Sequence, residues 1–216
     1  MPRPRFMRLE AERRAEWLEA AAEEFAARGY DQASLNGILE RLGLSKGQFY
    51  YYFDDKADLF GAVFDWTLQR VIPPDLVSTI EGLGREEFWP YFERLAEESR
   101  TLLRAMPWYM GLMRHMYHPP SDASARRVVD GAWELGRGLQ LALVRRGQAL
   151  GLVRSDLPDE LLFVMITALT TARDHWFLDH WDDLPPEERY ELPGRLMGLF
   201  RRAFEPPPSS GSEGVG

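Results

Sequence analysis

The chain has 216 residues, of which 45% are hydrophobic and 28% charged, a composition typical of a globular protein with a sizeable core. It contains no cysteine, which excludes a disulfide framework, a thiolate metal site and a thiol nucleophile. Because the formal net charge is -8, any surface that binds nucleic acid has to be a local basic patch.

No segment predicts insertion into a membrane. The longest apolar run, residues 161–169, is much shorter than the roughly 20 residues that cross a bilayer. Residues 1–14 are basic and polar where a secretory signal would have an apolar stretch. We therefore expect a cytoplasmic protein with no membrane partner.

The first half of the chain begins with helical patterns, and no segment shows a convincing strand alternation. Apolar residues from Trp17 to Phe25 recur at helical spacing within residues 8–28, and Gly29 predicts the end of this first helix. Ser34 has the position of an N-cap for a second helix, which ends at Gly43.

A third short helix is predicted after a turn of only two residues. Ser45 and Gln48 have the spacing of a capping box, which predicts a helix that begins at Lys46. Two helices joined by so tight a turn indicate a helix-turn-helix, in which the second helix enters the major groove of DNA. Phe49 and Phe53 lie four residues apart and predict the buried face of that helix.

The other residues of this third helix are expected at the surface. Lys46 and Gln48 have side chains that pair with guanine and adenine edges, and Gly47 allows close approach of the backbone. Tyr50 and Tyr51 have hydroxyl groups that can donate to phosphate. The alternative, a core aromatic cluster, would leave the capping box, the tight turn and the two lysines of the chain unexplained.

The stretch GLSKGQFYYYFDDKADLF, residues 43–60, resembles the pattern of the TetR family of transcriptional regulators, and AAEEFAARGYDQASLNGI upstream supports the resemblance. The resemblance implies an all-α repressor, not an enzyme, that binds a palindromic DNA operator as a homodimer. Asp54 and Asp55 depart from the family, which often has a basic residue there. Carried over to this chain, the family's DNA contacts are Ser34, Asn36, Lys46, Gly47, Gln48, Tyr50, Tyr51, Tyr52 and Lys56.

A fourth helix is predicted from Lys56 to the prolines at positions 73 and 74, and a larger helical body follows. Glycine and proline residues separate its predicted helices. These helices cover residues 85–104, 107–117, 123–150, 158–180 and 193–204.

The pattern divides the chain into a DNA-binding head at residues 1–54 and a regulatory and dimerisation body at residues 55–204. Residues 205–216 are rich in Pro, Gly and Ser and predict a flexible tail. Residues 1–8 form a basic arm, for which a frayed tail and a segment that follows the minor groove are both open interpretations.

Methionine and aromatic residues are concentrated in the body. In the family this region holds a ligand cavity, and such side chains suit a bulky apolar effector. Ordinary core packing fits the same pattern, and a regulator controlled by a protein partner is an alternative. The predicted ligand contacts are Trp89, Phe92, Met106, Trp108, Tyr109, Met110, Met113, Arg114, His115 and Tyr117.

The last two helices are expected to form the dimer interface, as they do in the family. The predicted interface residues are Leu161, Met165, Leu169, Arg173, Trp176, Leu196, Leu199 and Phe200. No cofactor or metal site is predicted, because His115 and His118 lack the acidic partners of a helical metal site. A helical enzyme or binding protein with a vestigial head is a further alternative, although no nucleophile and base pattern supports it.

Overall fold

The computed structural model of the chain describes residues 2–207, except for the side chains at positions 99 and 193. This part of the chain contains one short 3-10 helix, Phe6–Arg8, and α-helices, and it contains no strand. The all-α prediction is therefore confirmed. The α-helices are α1 Ala11–Gln32, α2 Leu35–Arg41, α3 Lys46–Tyr52, α4 Lys56–Val71, α5 Leu76–Gly82, α6 Phe88–Ala105, α7 Tyr109–Tyr117, α8 Ala123–Ala149, α9 Asp159–His180 and α10 Pro186–Phe204.

The helices of the head begin at the residues that the caps predict. The Ser34 hydroxyl accepts a hydrogen bond from the Gly37 amide at 3.1 Å and begins α2. Ser45 and Gln48 form the predicted capping box at the start of α3. α1 differs from its prediction, because Gly29 adopts a φ of 73° and breaks the helix, after which helical structure resumes to Gln32.

Two features of the body differ from the prediction. Helix α5 was not predicted, because it spans only two turns and contains β-branched residues that favour helix weakly. Its Leu76 and Ile80 are buried against the body, and this packing stabilises the helix. Helix α10 begins at Pro186, where a proline fits the first turn, and it continues past position 193, where the sequence predicted its start.

The buried side chains form two separate cores. The first joins the head to the body, since Phe25, Phe49 and Phe60 belong to the same cluster as Trp108 and Leu112. The second lies within the body, and its aromatic members are Phe88, Trp89 and Phe92 of α6 and Phe204 of α10. The head therefore does not have a core of its own.

The structure tests the prediction for the N-terminal arm but not the one for most of the C-terminal tail. The predicted basic arm is neither frayed nor free, because Phe6 is 1% exposed and belongs to the first core. Most of the predicted tail, residues 208–216, lies outside the described residues. No described helix is both long enough and apolar enough to cross a membrane.

Candidate nucleic-acid interface

Helix α3 has one buried face and one exposed face. Phe49 and Phe53 are buried and stack on each other with ring centroids 5.4 Å apart. They pack in the first core with Ile38 and Leu39 of α2, which fixes the angle between the two short helices. The opposite face is exposed, as the pattern predicts, and it carries Lys46, Gly47, Gln48, Tyr50 and Tyr51.

Two of the predicted DNA contacts also cap helices. The Gln48 side-chain oxygen accepts a hydrogen bond from the Ser45 amide at 2.8 Å. A contact with an adenine edge would use both the oxygen and the nitrogen of the Gln48 side-chain amide. The contact with DNA and the helix cap therefore compete for this side chain. Ser34 accepts from the Gly37 amide, and its hydroxyl hydrogen is still available to a phosphate oxygen. Asn36 is exposed in the first turn of α2, two residues after this cap.

The structure gives Lys56 a role that the sequence did not predict. Its ammonium group donates hydrogen bonds to the carbonyl oxygens of Tyr30 at 2.7 Å and Ala33 at 3.3 Å. It also lies 4.5 Å from the centroid of the Tyr30 ring. Lys56 therefore joins the start of α4 to the end of α1. A phosphate at the predicted contact would compete with these carbonyl oxygens for the ammonium group.

Tyr52 and the two aspartates lie at the end of α3. Tyr52 is half-buried, and its ring packs edge-on against Trp17 at 5.3 Å. Asp55 accepts from the Asp58 amide at 2.8 Å and caps α4. Asp54 forms an ion pair with Arg3. The two acids that depart from the TetR pattern therefore have structural partners, Arg3 for Asp54 and the Asp58 amide for Asp55.

The ten predicted ligand contacts do not line one cavity. Trp89 and Phe92 belong to the second core, whereas Met106, Trp108 and Met113 pack in or against the first. The sequence could not predict this separation, because it depends on which core each helix joins.

Five of the predicted ligand contacts do line a common groove of about 500 Å³ between α1, α7 and the start of α10. The sequence did not predict the groove residues from outside the body's methionine-rich segment, such as Ala26, Trp181 and Tyr190. The predicted contacts in the groove are Met106, Trp108, Tyr109, Met110 and Arg114.

The other two predicted ligand contacts, His115 and Tyr117, are polar groups held inside the protein. The His115 Nε2 atom lies 3.3 Å from the Phe25 carbonyl oxygen of α1, and burial lowers the pKa of the imidazole. The Tyr117 hydroxyl donates to Asp174 of α9 at 2.8 Å. Burial, followed by the charge of Asp174, raises the pKa of this phenol. Both residues join α7 to neighbouring helices.

The predicted interface residues on α9 and α10 fall into two groups. Arg173, Leu196 and Phe200 are partly covered within the chain, and Phe200 packs against the second core. The others are exposed apolar side chains, between 39% and 53% accessible, and most follow one another along α9. These exposed residues are Leu161, Met165, Leu169, Trp176 and Leu199.

Within residues 2–207, no group of three or more histidine and acidic side chains could hold a metal ion. His115 and His118 lie on or beside one helix, as expected, but His115 is buried and His118 is exposed. The two rings therefore do not form a common surface.

The comparisons with known proteins agree with this arrangement. Residues 18–63 match the family described as bacterial regulatory proteins, tetR family. The HTH-type transcriptional repressor AcnR of Corynebacterium diphtheriae is 41% identical over 167 residues, which cover 75% of this chain and 77% of AcnR. An uncharacterized HTH-type transcriptional regulator of Bacillus subtilis, YvdT, is 32% identical over 84 residues, which cover 38% of this chain and 41% of YvdT.

Solved structures share the whole fold. The transcriptional regulator FadR from Bacillus subtilis, crystallised in complex with stearoyl-CoA, has a TM-score of 0.68 at 16% identity. The superposition covers 88% of this chain and 99% of the FadR chain. At this identity the likeness establishes a common architecture, a helix-turn-helix head on a larger helical body.

Proposed function

Because the chain belongs to the TetR family of bacterial regulatory proteins, we propose that it is a cytoplasmic repressor that binds a palindromic DNA operator as a homodimer. The observation that carries the proposal is the exposed face of α3, which presents Lys46, Gln48 and Tyr50 opposite the buried Phe49. Residues 1–54 form the proposed DNA-binding head, and residues 55–204 form the proposed regulatory and dimerisation body.

The side chains of the head have different proposed roles. Lys46 reads a guanine edge, while Gly47 lets the backbone of α3 approach the bases. Tyr50 and Tyr52 donate their hydroxyl groups to phosphates, as Ser34 does from the start of α2. The remaining proposed contacts are Asn36 of α2, Gln48 and Tyr51 of α3, and Lys56 at the start of α4.

Selection of duplexes from a random library with the purified full-length protein tests this proposal. We expect enrichment of a palindrome whose half-sites lie about 34–36 Å apart, one turn of DNA. The affinity should fall steeply as salt is raised, because phosphate contacts release counterions. If no sequence is enriched at low salt, the proposed function is wrong.

The proposed dimer interface is the exposed apolar surface of α9 and α10. Large contiguous apolar surfaces on a folded chain mark interaction sites. Met165 and Leu169 lie one turn apart on α9, and Leu199 is an exposed apolar residue of α10. Pairing of these helices with those of a second copy would cover the surface, as expected for a homodimer of this family.

A bulky apolar small molecule is the proposed effector, and the groove beside α1 is its proposed site. The groove is lined by Met106, Trp108 and Met110 from the body and by Ala26 from the head. An occupant would contact both parts and could change the angle between them. The FadR complex with stearoyl-CoA supports an acyl chain as one chemical class.

Tryptophan fluorescence tests the effector site. Trp108 lines the groove and stacks on Trp66 with ring centroids 5.8 Å apart, so an occupant should change their emission. We expect stearoyl-CoA or a polycyclic compound to change the emission and to release a labelled operator. Met110→Trp should fill the groove and abolish release while operator binding is retained. Release that is unaffected by Met110→Trp would exclude this groove.

A further inference from the structure

The N-terminal segment is a folded part of the surface around α3. The Phe6 ring is buried, with its centroid 4.7 Å from that of Phe53 and 6.0 Å from that of Trp17. This anchor holds residues 3–8 against the end of α3 and the first turns of α1. The two arginines before Phe6 consequently have fixed neighbours.

Arg3 caps the carboxyl end of α3. Its backbone amide donates to the Tyr52 carbonyl oxygen at 2.9 Å, and its guanidinium donates to the Tyr50 carbonyl oxygen at 2.8 Å. The same guanidinium donates to Asp54 at 3.1 Å through Nε. Arg3 therefore neutralises the acid that occupies a position where the TetR pattern often has a base.

Arg5 lies over the exposed face of Tyr51. The guanidinium carbon is 4.5 Å from the centroid of that ring, and Tyr51 is 48% exposed. A guanidinium stacks on an aromatic ring through its flat face. The N–H groups lie in the plane of the guanidinium, where they can donate to other acceptors. Among the described residues, no carboxylate forms an ion pair with Arg5.

We propose that Arg5 contacts DNA beside α3. Held over Tyr51, it donates to a backbone phosphate at the edge of the major groove that α3 enters. The TetR pattern often has a basic residue at position 54, where this chain has Asp54. Arg5, which is distant in the sequence, supplies a positive charge near that place instead. This inference rests on the proposed binding of duplex DNA.

The experiment measures the salt dependence of operator binding by Arg5→Ala. Loss of one phosphate contact should lower the slope of log affinity against log salt by about 0.9. The loss should be the same for operator and unrelated duplexes, because phosphates carry no sequence information. Arg137→Ala, an exposed arginine on α8, removes the same charge away from the head and should leave the slope unchanged.

Arg5→Lys is a second variant for this experiment. It keeps the charge but loses the planar stack on Tyr51, so the slope should stay close to that of the wild type while the affinity falls. An unchanged slope for Arg5→Ala would overturn the inference. So would a loss that depends on A·T content next to the operator, which would indicate a minor-groove contact. If the wild type binds no duplex, the proposed function fails as well.

Discussion

A β-carbon on Gly111 would lie 2.8 Å from the carbonyl oxygen of Ala26, closer than real β-carbons approach other heavy atoms. Helix α7 therefore packs against the backbone of α1 with no side chain between them. Because α1 belongs to the proposed head and α7 to the proposed body, this contact couples the position of one to the other.

Gly111→Ala should separate α1 from α7. Overpacking of this kind costs about 1–3 kcal/mol of stability. We also expect weaker operator binding, because the head would change its angle to the body. Gly138→Ala on α8 is the matched control, since its β-carbon would meet no atom within 4 Å. Urea unfolding and operator titration of both variants test the coupling, and equal behaviour of the two would refute it.

Lys46→Ala and Tyr50→Phe should affect DNA binding in different ways. Loss of Lys46 removes a base contact and should reduce discrimination at one base by about 1–3 kcal/mol. Loss of the Tyr50 hydroxyl removes a phosphate contact and should weaken all duplexes alike. Repeating the duplex selection with each variant distinguishes the two. A wild-type preference retained by Lys46→Ala would mean that α3 does not read the bases there.

Lys56→Ala should reduce stability as well as DNA binding. Hydrogen bonds to a charged group contribute about 1.5–3 kcal/mol, and Lys56 donates three of them to carbonyl oxygens at the end of α1. Thermal unfolding measures the loss, with Lys46→Ala as a control because Lys46 is exposed on α3. If Lys56→Ala unfolds at the wild-type temperature, the contacts with Tyr30 and Ala33 do not stabilise the fold.

His115 should make stability depend on pH. Burial lowers the pKa of His115, with the Phe25 carbonyl and Asp31 opposing this effect and His118 adding to it. Below the ordinary histidine pKa of about 6.5 the unfolded chain binds the extra proton first, so the free energy of unfolding falls as pH falls.

Urea midpoints at about pH 5.5 and about pH 7.5, on either side of the ordinary pKa, measure this dependence. His115→Gln keeps a donor near Phe25 but cannot titrate, so the difference between the two midpoints should shrink. The same change at the exposed His180, which does not contribute to the lowered pKa of His115, is the control and should leave the difference near the wild-type value. An undiminished difference for His115→Gln would assign the dependence to other groups.

Leu199→Asp should produce monomers. Leu199 is 53% exposed, so the charge harms the isolated chain little, but it would be buried and unpaired in the proposed dimer. Operator binding should be lost too, since linked half-sites are bound far more tightly than separate ones. Sedimentation measures the state of association. Val77→Asp on α5, 40% exposed, is the control, and an intact Leu199→Asp dimer would place the interface elsewhere.

The parts of the fold that the sequence predicts correctly depend on residues close together in the chain. The capping box of Ser45 and Gln48 spans one helical turn, so its geometry follows from spacing alone. The partners of Lys56 are carbonyl groups 23 and 26 residues away, and no local pattern indicates them. Helix α5 was missed for a similar reason, because packing against distant residues stabilises its weak helical sequence.

The same distinction between local patterns and long-range contacts applies to the candidate site. The exposed face of α3 follows from the positions of Phe49 and Phe53, whereas the docking of Arg3 and Arg5 requires the folded head. Gly111 is a signal that the sequence analysis did not use, since an isolated glycine inside a helix often has a packing reason, here the close approach of α7 to α1.

The core that Phe25 and Phe60 share with Trp108 and Leu112 limits how this regulator can be engineered. Chimeras that join the reading head of one regulator to the sensing body of another are cut where the sequence suggests a boundary, here between residues 54 and 55. In this chain such a cut would divide a single hydrophobic cluster and leave unmatched surfaces on both sides. A working chimera would have to carry α4, α7, the first half of α8 and the turn before α7 along with the transplanted head.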